Sequence, residues 1–160
     1  MRVRSLLLTL VLSLLVGKSL GVSFTLDGIT YVANADTAII KGYDAIPENG
    51  ELALASTVSY GGKDYRVTTV QNSAFLSCTE LKKLVVPSTI KYIREGAFEN
   101  CVNMTQLVLS EGEERLDAAG DALKNCGIEE VTIGRNLKEG IFCNSESLVT
   151  VKLAKNVTTI

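Results

Sequence analysis

The groups able to do chemistry in this chain are few, and a common one is missing. There is no histidine in 160 residues. That excludes a Ser-His-Asp triad, a Cys-His pair and the commonest zinc ligand. Nucleophilic or metal chemistry would fall to four cysteines and eighteen carboxylates. Cys78, Cys101 and Cys126 each close a similar stretch, AFLSC, AFENC and ALKNC, whereas Cys143 directly follows Phe142 and breaks that pattern. A zinc knuckle shows C-x-x-C, and no such pair occurs. A disulfide needs Cα atoms within roughly 7 Å and converging Cβ vectors, which parallel stacked positions seldom provide. Cysteines at one recurring position read instead as small apolar fillers, buried as free thiols. Cys143, out of register, reads as exposed.

The carboxylates cluster in EGEERLDAAGD, where Glu111, Glu113, Glu114, Asp117 and Asp121 stand close together. Clustered oxygens suit a hard cation such as calcium, but the alternating acidic positions before a glycine that build a calcium loop are absent. A solvated insertion is the plainer reading. Paired carboxylates for glycoside hydrolysis depend on separation in space, so spacing in sequence neither supports nor removes them. NMT at Asn103 and NVT at Asn156 fit the glycosylation triplet, which arises often by chance. Gly17-Lys18-Ser19 resembles the end of a phosphate loop, but the glycine needed five residues earlier is Leu12. No cofactor is called for.

The elements that would position these groups start after a leader. Arg2 and Arg4 precede an apolar run from Leu6 to Val16, and Ser19 and Gly21 occupy small-residue positions. This reads as a secretory signal peptide over residues 1–21. The run falls short of the about 20 apolar residues that span a bilayer, so no membrane-spanning segment is expected once the leader is cut. Setting aside the basic residues at 2, 4 and 18 leaves 13 basic against 18 acidic residues, a net of −5. That charge offers no footprint for nucleic acid or an anionic membrane. The remaining 139 residues suit one domain.

Within that domain the chain repeats itself. Phe75 and Phe98 are 23 residues apart, as are Cys78 and Cys101, Leu84 and Leu107, Val86 and Leu109, Val67 and Ile90, and Val70 and Ile93. Two worn copies follow. Leu123, Cys126, Ile128, Val131 and Ile133 form one, and Phe142, Leu148, Val151 and Leu153 the other, with Ser145 in the cysteine position. A period of 20–50 residues marks a solenoid, in which each unit buries its apolar face only against the next. The short runs at 84–86, 107–109, 131–133 and 151–153 read as strands. Pro87, or Gly134 in the third copy, turns the chain after the strand. REGAFENC has room for one helical turn, which would put Phe98 and Cys101 on one face. The expected core is Phe75, Cys78, Leu84, Phe98, Cys101, Leu107, Leu123, Cys126 and Phe142.

The pattern V-x-x-I-x-x-x-A-F-x-x-C-x-x-L-x-x-L-x-(L/V)-P-x-x-I resembles the leucine-rich repeats of BspA-type surface proteins of anaerobic oral and gut bacteria. The match is tight over 65–109 and loose over 110–160. The stretch from FTLDGITYV to KDYRVTTV is similar to the region that often precedes such repeats. The resemblance implies a right-handed β-α superhelix, an extracellular location, and adhesion or ligand binding without a catalytic motif. From the residues alone, 22–64 reads as an antiparallel cap. Asp27-Gly28 and Gly61-Gly62 are two-residue hairpin signals, and a solenoid needs its first apolar coil covered.

The expected fold is thus α/β: a β-dominated right-handed leucine-rich-repeat solenoid with short helical turns, following an antiparallel β-hairpin cap. Residues 22–64 form the cap and 65–160 about four repeats, the last incomplete. Its outward strand positions make two columns, Lys83-Gln106-Glu130-Thr150 and Val85-Val108-Thr132-Lys152. These suit either a partner surface or a merely solvated sheet face. The leading expectation is a secreted or surface-displayed binding module for an extracellular protein or glycan. A passive spacer, or a fragment of a longer surface protein, is the structural rival, and a surface glycan hydrolase the weaker enzymatic one. Ile160 matches Ile93, after which the intact copy closes its coil. The last coil is therefore expected to leave Leu148, Val151, Leu153 and Val157 uncovered, to be met by a further coil or by end-to-end pairing.

Overall fold

The computed structural model describes residues 21–143 and 145–160. The leader expected over 1–21 lies, but for Gly21, outside the described residues. Twelve strands occur among those described, and no helix. The first six are β1 (Val22–Leu26), β2 (Ile29–Asn34), β3 (Thr37–Tyr43), β4 (Glu51–Ala53), β5 (Thr57–Tyr60) and β6 (Lys63–Val70). Then come β7 (Lys83–Val86), β8 (Tyr92–Ile93), β9 (Gln106–Leu109), β10 (Asp117–Ala118), β11 (Glu130–Ile133) and β12 (Thr150–Leu153). They form two sheets. One runs β1-β2-β3-β6-β8-β10 with β5 alongside β6, and the other runs β12-β11-β9-β7-β4.

The 23-residue spacing becomes strand register. Leu84 pairs with Leu107, Leu107 with Val131, and Val131 with Val151, all in parallel. Alternation then sends Leu84, Val86, Leu107, Leu109, Val131 and Ile133 inward, where all are buried. Against them runs an aromatic column. Tyr43 stacks on Phe75 at 5.3 Å between ring centroids, and Phe75 on Phe98 at 4.9 Å with 6° between the planes. Leu123 continues it buried, and Phe142 ends it half-buried.

The segment expected to be one helical turn is a series of tight turns instead. Leu76 N–H donates to Ser73 O and Cys78 N–H to Phe75 O, each a three-residue step. The alternate amides point out of the coil. Ser73, Phe75 and Ser77 donate to the carbonyls of Glu95, Ala97 and Glu99 in the next repeat, at 2.7–3.1 Å. A helix would aim its amides along its own axis rather than alternately at the neighbouring repeat. Left-handed residues at recurring positions, Ser77, Asn100 and Asn125 with φ near 60°, prevent its propagation.

The leading region departs from a purely antiparallel cap. The two hairpins are as expected: β1 pairs β2 antiparallel through Asp27-Gly28, and β5 pairs β6 antiparallel through Gly61-Gly62. All four turn residues have positive φ, as a type I′ turn requires. However, β3 runs parallel to β6, and β4 parallel to β7. The chain between the hairpins therefore adds one strand to each sheet, ahead of the recognisable repeats.

At the far end the expected exposure is present in part. Val151 and Leu153, in register with buried residues of β11, are 47% and 54% exposed. Leu148 and Val157 are half-buried.

Candidate functional site

The five-stranded sheet brings all eight outward candidates onto one face. Lys83, Gln106, Glu130 and Thr150 are successive register partners, and so are Val85, Val108, Thr132 and Lys152. Gln106 and Lys152 are exposed and the other six half-buried. Glu51 extends the first column and Ala53 the second. Both escaped sequence reasoning because the strand ELA is three residues long and has no copy at the repeat spacing. Five strands at about 4.8 Å make a surface about 20 Å across.

Its charges are arranged in opposite pairs. Lys83 Nζ lies 3.5 Å from Glu51, and Lys152 Nζ lies 2.6 Å from Glu130. Exposed pairs of this kind add little stability. They leave the face polar but nearly neutral, with a short aliphatic strip at Val85 and Val108. Such a surface can hydrogen-bond and pack against a partner. It offers no long-range steering by charge.

The remaining candidates are engaged in holding the stack. Among the described residues no cysteine is in a disulfide; three are buried and Cys143 is exposed. Cys101 Sγ donates to Phe75 O at 3.2 Å, and Cys126 Sγ to Phe98 O at 3.0 Å. Contact with Cys126, together with burial, pushes the Cys101 thiol well above its ordinary range. Burial, assisted by the neighbouring thiol of Cys78, does the same to the Tyr43 phenol. In the acidic run, Glu111, Glu113 and Glu114 are exposed, Glu114 held by Lys91 at 2.7 Å. Asp117 instead faces Lys138 at 3.1 Å. The amide of Asn103 donates to Thr79 O at 2.8 Å and that of Asn156 to Gly134 O at 3.1 Å. Both acceptor triplets thus lend their amides to backbone contacts with an earlier repeat.

One residue had no sequence signal. Arg135 is fully buried, and its guanidinium donates to the carbonyls of Pro87, Ser88 and Ile90 at 2.7–3.1 Å. It reaches back about two repeats. Burial pulls its pKa down to about 10, against a weaker opposing pull from Glu114. An arginine just after a glycine turn reads as solvated, and the carbonyls it serves lie 45–48 residues earlier, outside any local pattern.

Known proteins bear on this geometry. The family described as BspA type leucine rich repeat region (6 copies) matches residues 68–160. No curated protein is matched by the sequence. A leucine-rich repeat protein from Bacteroides capillosus superposes with a TM-score of 0.66 at 21% identity, over 82% of this chain and 98% of its own. A leucine rich cell surface protein from Faecalibacterium prausnitzii gives 0.53 at 20%, over 86% of this chain and 44% of its own. The pneumococcal vaccine antigen PcpA gives 0.55 at 15%, over 89% and 40%. This chain thus spans nearly all of the first structure and less than half of the other two. Likeness at these identities establishes the leucine-rich-repeat fold. Among the described residues no helix is long and apolar enough to cross a membrane. The repeat register, the stacked aromatic and thiol columns and the family match lead to one conclusion: this chain belongs to the BspA-type leucine-rich-repeat family.

Proposed function

We infer that this protein is a secreted or surface-displayed adhesion module, a capped right-handed solenoid that binds an extracellular protein or glycan through its five-stranded sheet. The observation that carries this reading is the pair of unbroken outward columns on that sheet, backed by a buried core. Leucine-rich-repeat families are typically non-enzymatic binding modules. Two of the similar structures are described as a cell surface protein and a vaccine antigen, which favours display outside the cell. The test is binding of the immobilised chain to a panel of extracellular-matrix proteins and to a glycan array. Specific, saturable binding supports the reading. Failure to bind any of them favours the spacer, and turnover of a labelled glycan would favour the hydrolase.

A second property has its own observation. Val149, Val151 and Leu153 are exposed on and beside edge strand β12. Clustered apolar exposure beside unpaired strand groups promotes association. The chain on its own is expected to self-associate through this end. Light scattering checks it, and a concentration-independent monomer contradicts it.

A further inference from the structure

A second surface lies on the other sheet, at the two hairpins β1–β2 and β5–β6. Phe24 of β1 stacks on Tyr31 of β2 at 5.6 Å, and on Tyr60 of β5 at 4.4 Å with only 9° between the planes. Burial falls along this stack. Tyr31 is buried and Phe24 half-buried, while Tyr60 is 44% exposed. Tyr60 stands opposite Lys63 across the β5–β6 hairpin, and directly opposed residues share a face. Lys63 Nζ lies 5.3 Å from the centroid of the half-buried Tyr65 ring and 2.9 Å from the exposed carboxylate of Asp36. One face therefore gathers an outer ring held flat by the rings behind it, a second ring, and an ammonium–carboxylate pair whose charges cancel.

We propose that Tyr60, Tyr65 and the Lys63–Asp36 pair form a binding subsite for a neutral hexopyranose chain. The axial C–H groups of a pyranose carry partial positive charge and lie flat on the negative face of an aromatic ring. Stacking on Phe24 fixes the plane of Tyr60 in advance, so little freedom is lost on binding. Adjacent sugar hydroxyls each donate and accept. A carboxylate beside an ammonium supplies the matching acceptor and donors. Because that pair is neutral overall, nothing on this face favours a sulfated or uronic polymer. The competing occupant is an extended peptide added along the open side of β5, which among the described residues pairs only with β6. The subsite is separate from the sheet columns and does not rest on their role.

Maltohexaose, cellohexaose and laminarihexaose are the probes, followed by saturation-transfer NMR and by the emission of the tyrosines in a chain without tryptophan. At least one hexaose is expected to bind in the millimolar range and receive saturation at its axial ring protons. Tyr60→Ala should weaken it about tenfold or more, and Tyr60→Phe should retain it. Asp36→Ala, a change at an exposed site, carries the same test if Tyr60→Ala fails to fold, and it too should weaken binding. The sheet variant Val108→Glu/Lys152→Glu should bind the hexaose unchanged, which separates this subsite from the sheet-face reading. The proposal is overturned if no hexaose binds, if Tyr60→Ala or Asp36→Ala binds like wild type, or if the sheet variant loses the sugar. Binding of only heparin, or only of an extended apolar peptide, overturns it as well.

Discussion

Phe98 sits between coils as well as within one. Its ring lies parallel to that of Phe75, and its carbonyl accepts the thiol of Cys126. Phe98→Ala should cost about 3–5 kcal/mol, the range for a large aromatic lost from a packed core. An unchanged urea midpoint would contradict this packing. The thiols differ from one another by environment. Burial raises Cys78, and contact with Cys126 plus burial raises Cys101, which keeps both as unreactive thiols. Contact with Cys101 lowers the Cys126 thiol, but burial shields it from reagent. Iodoacetamide should therefore modify Cys143 alone in the folded protein and all four cysteines after denaturation without reductant. Mass spectrometry reads both numbers, and two or fewer alkylated sites after denaturation would reveal a disulfide. Arg135→Ala orphans the carbonyls of Pro87, Ser88 and Ile90 and should cost about 3 kcal/mol. A loss below about 0.5 kcal/mol, the scatter of surface substitutions, would mean those carbonyls find other donors.

At the scale of elements, the strands were legible and the turns only half so. Spacing of 23 residues identifies which aliphatics pair, and the hairpin glycines mark two reversals; both appear as read. The A-F-x-x-C spacing places Phe and Cys inward whether the chain makes a helical turn or consecutive tight turns. It could not separate the two. Deciding between them takes the outward amides, which bond to the next coil, and that coil is invisible to a local pattern. Asn100 marks the difference, since a helix would give it negative φ and the turn gives 62°. Asn100→Ala should therefore destabilise by about 1–2 kcal/mol through left-handed strain, where a helical site would gain from alanine. A denaturation curve shifted upward would restore the helix. Tyr43 and β4 escaped detection for a related reason. They precede the first intact copy and carry its packing without its spacing.

Across the whole molecule, one arrangement serves stability and, in the function proposed above, recognition. Each repeat points alternate strand residues inward to the core and outward to the surface, so a regular core imposes regular columns outside. The outward face is therefore legible in sequence as far as the core is. What it binds is not, because the paired charges and small aliphatics on it fix a shape and a polarity rather than a ligand. Function at the sheet should accordingly be separable from folding. The direct measurement compares wild type with Val108→Glu/Lys152→Glu, using the matrix-protein or glycan ligand captured by the wild-type chain and a melting curve for each. Both substituted side chains stand on the outward columns, and Lys152 contributes only a solvent-exposed pair with Glu130. The expected result is a melting midpoint near that of wild type together with loss of binding; equal binding by the double variant would contradict the assignment of this face.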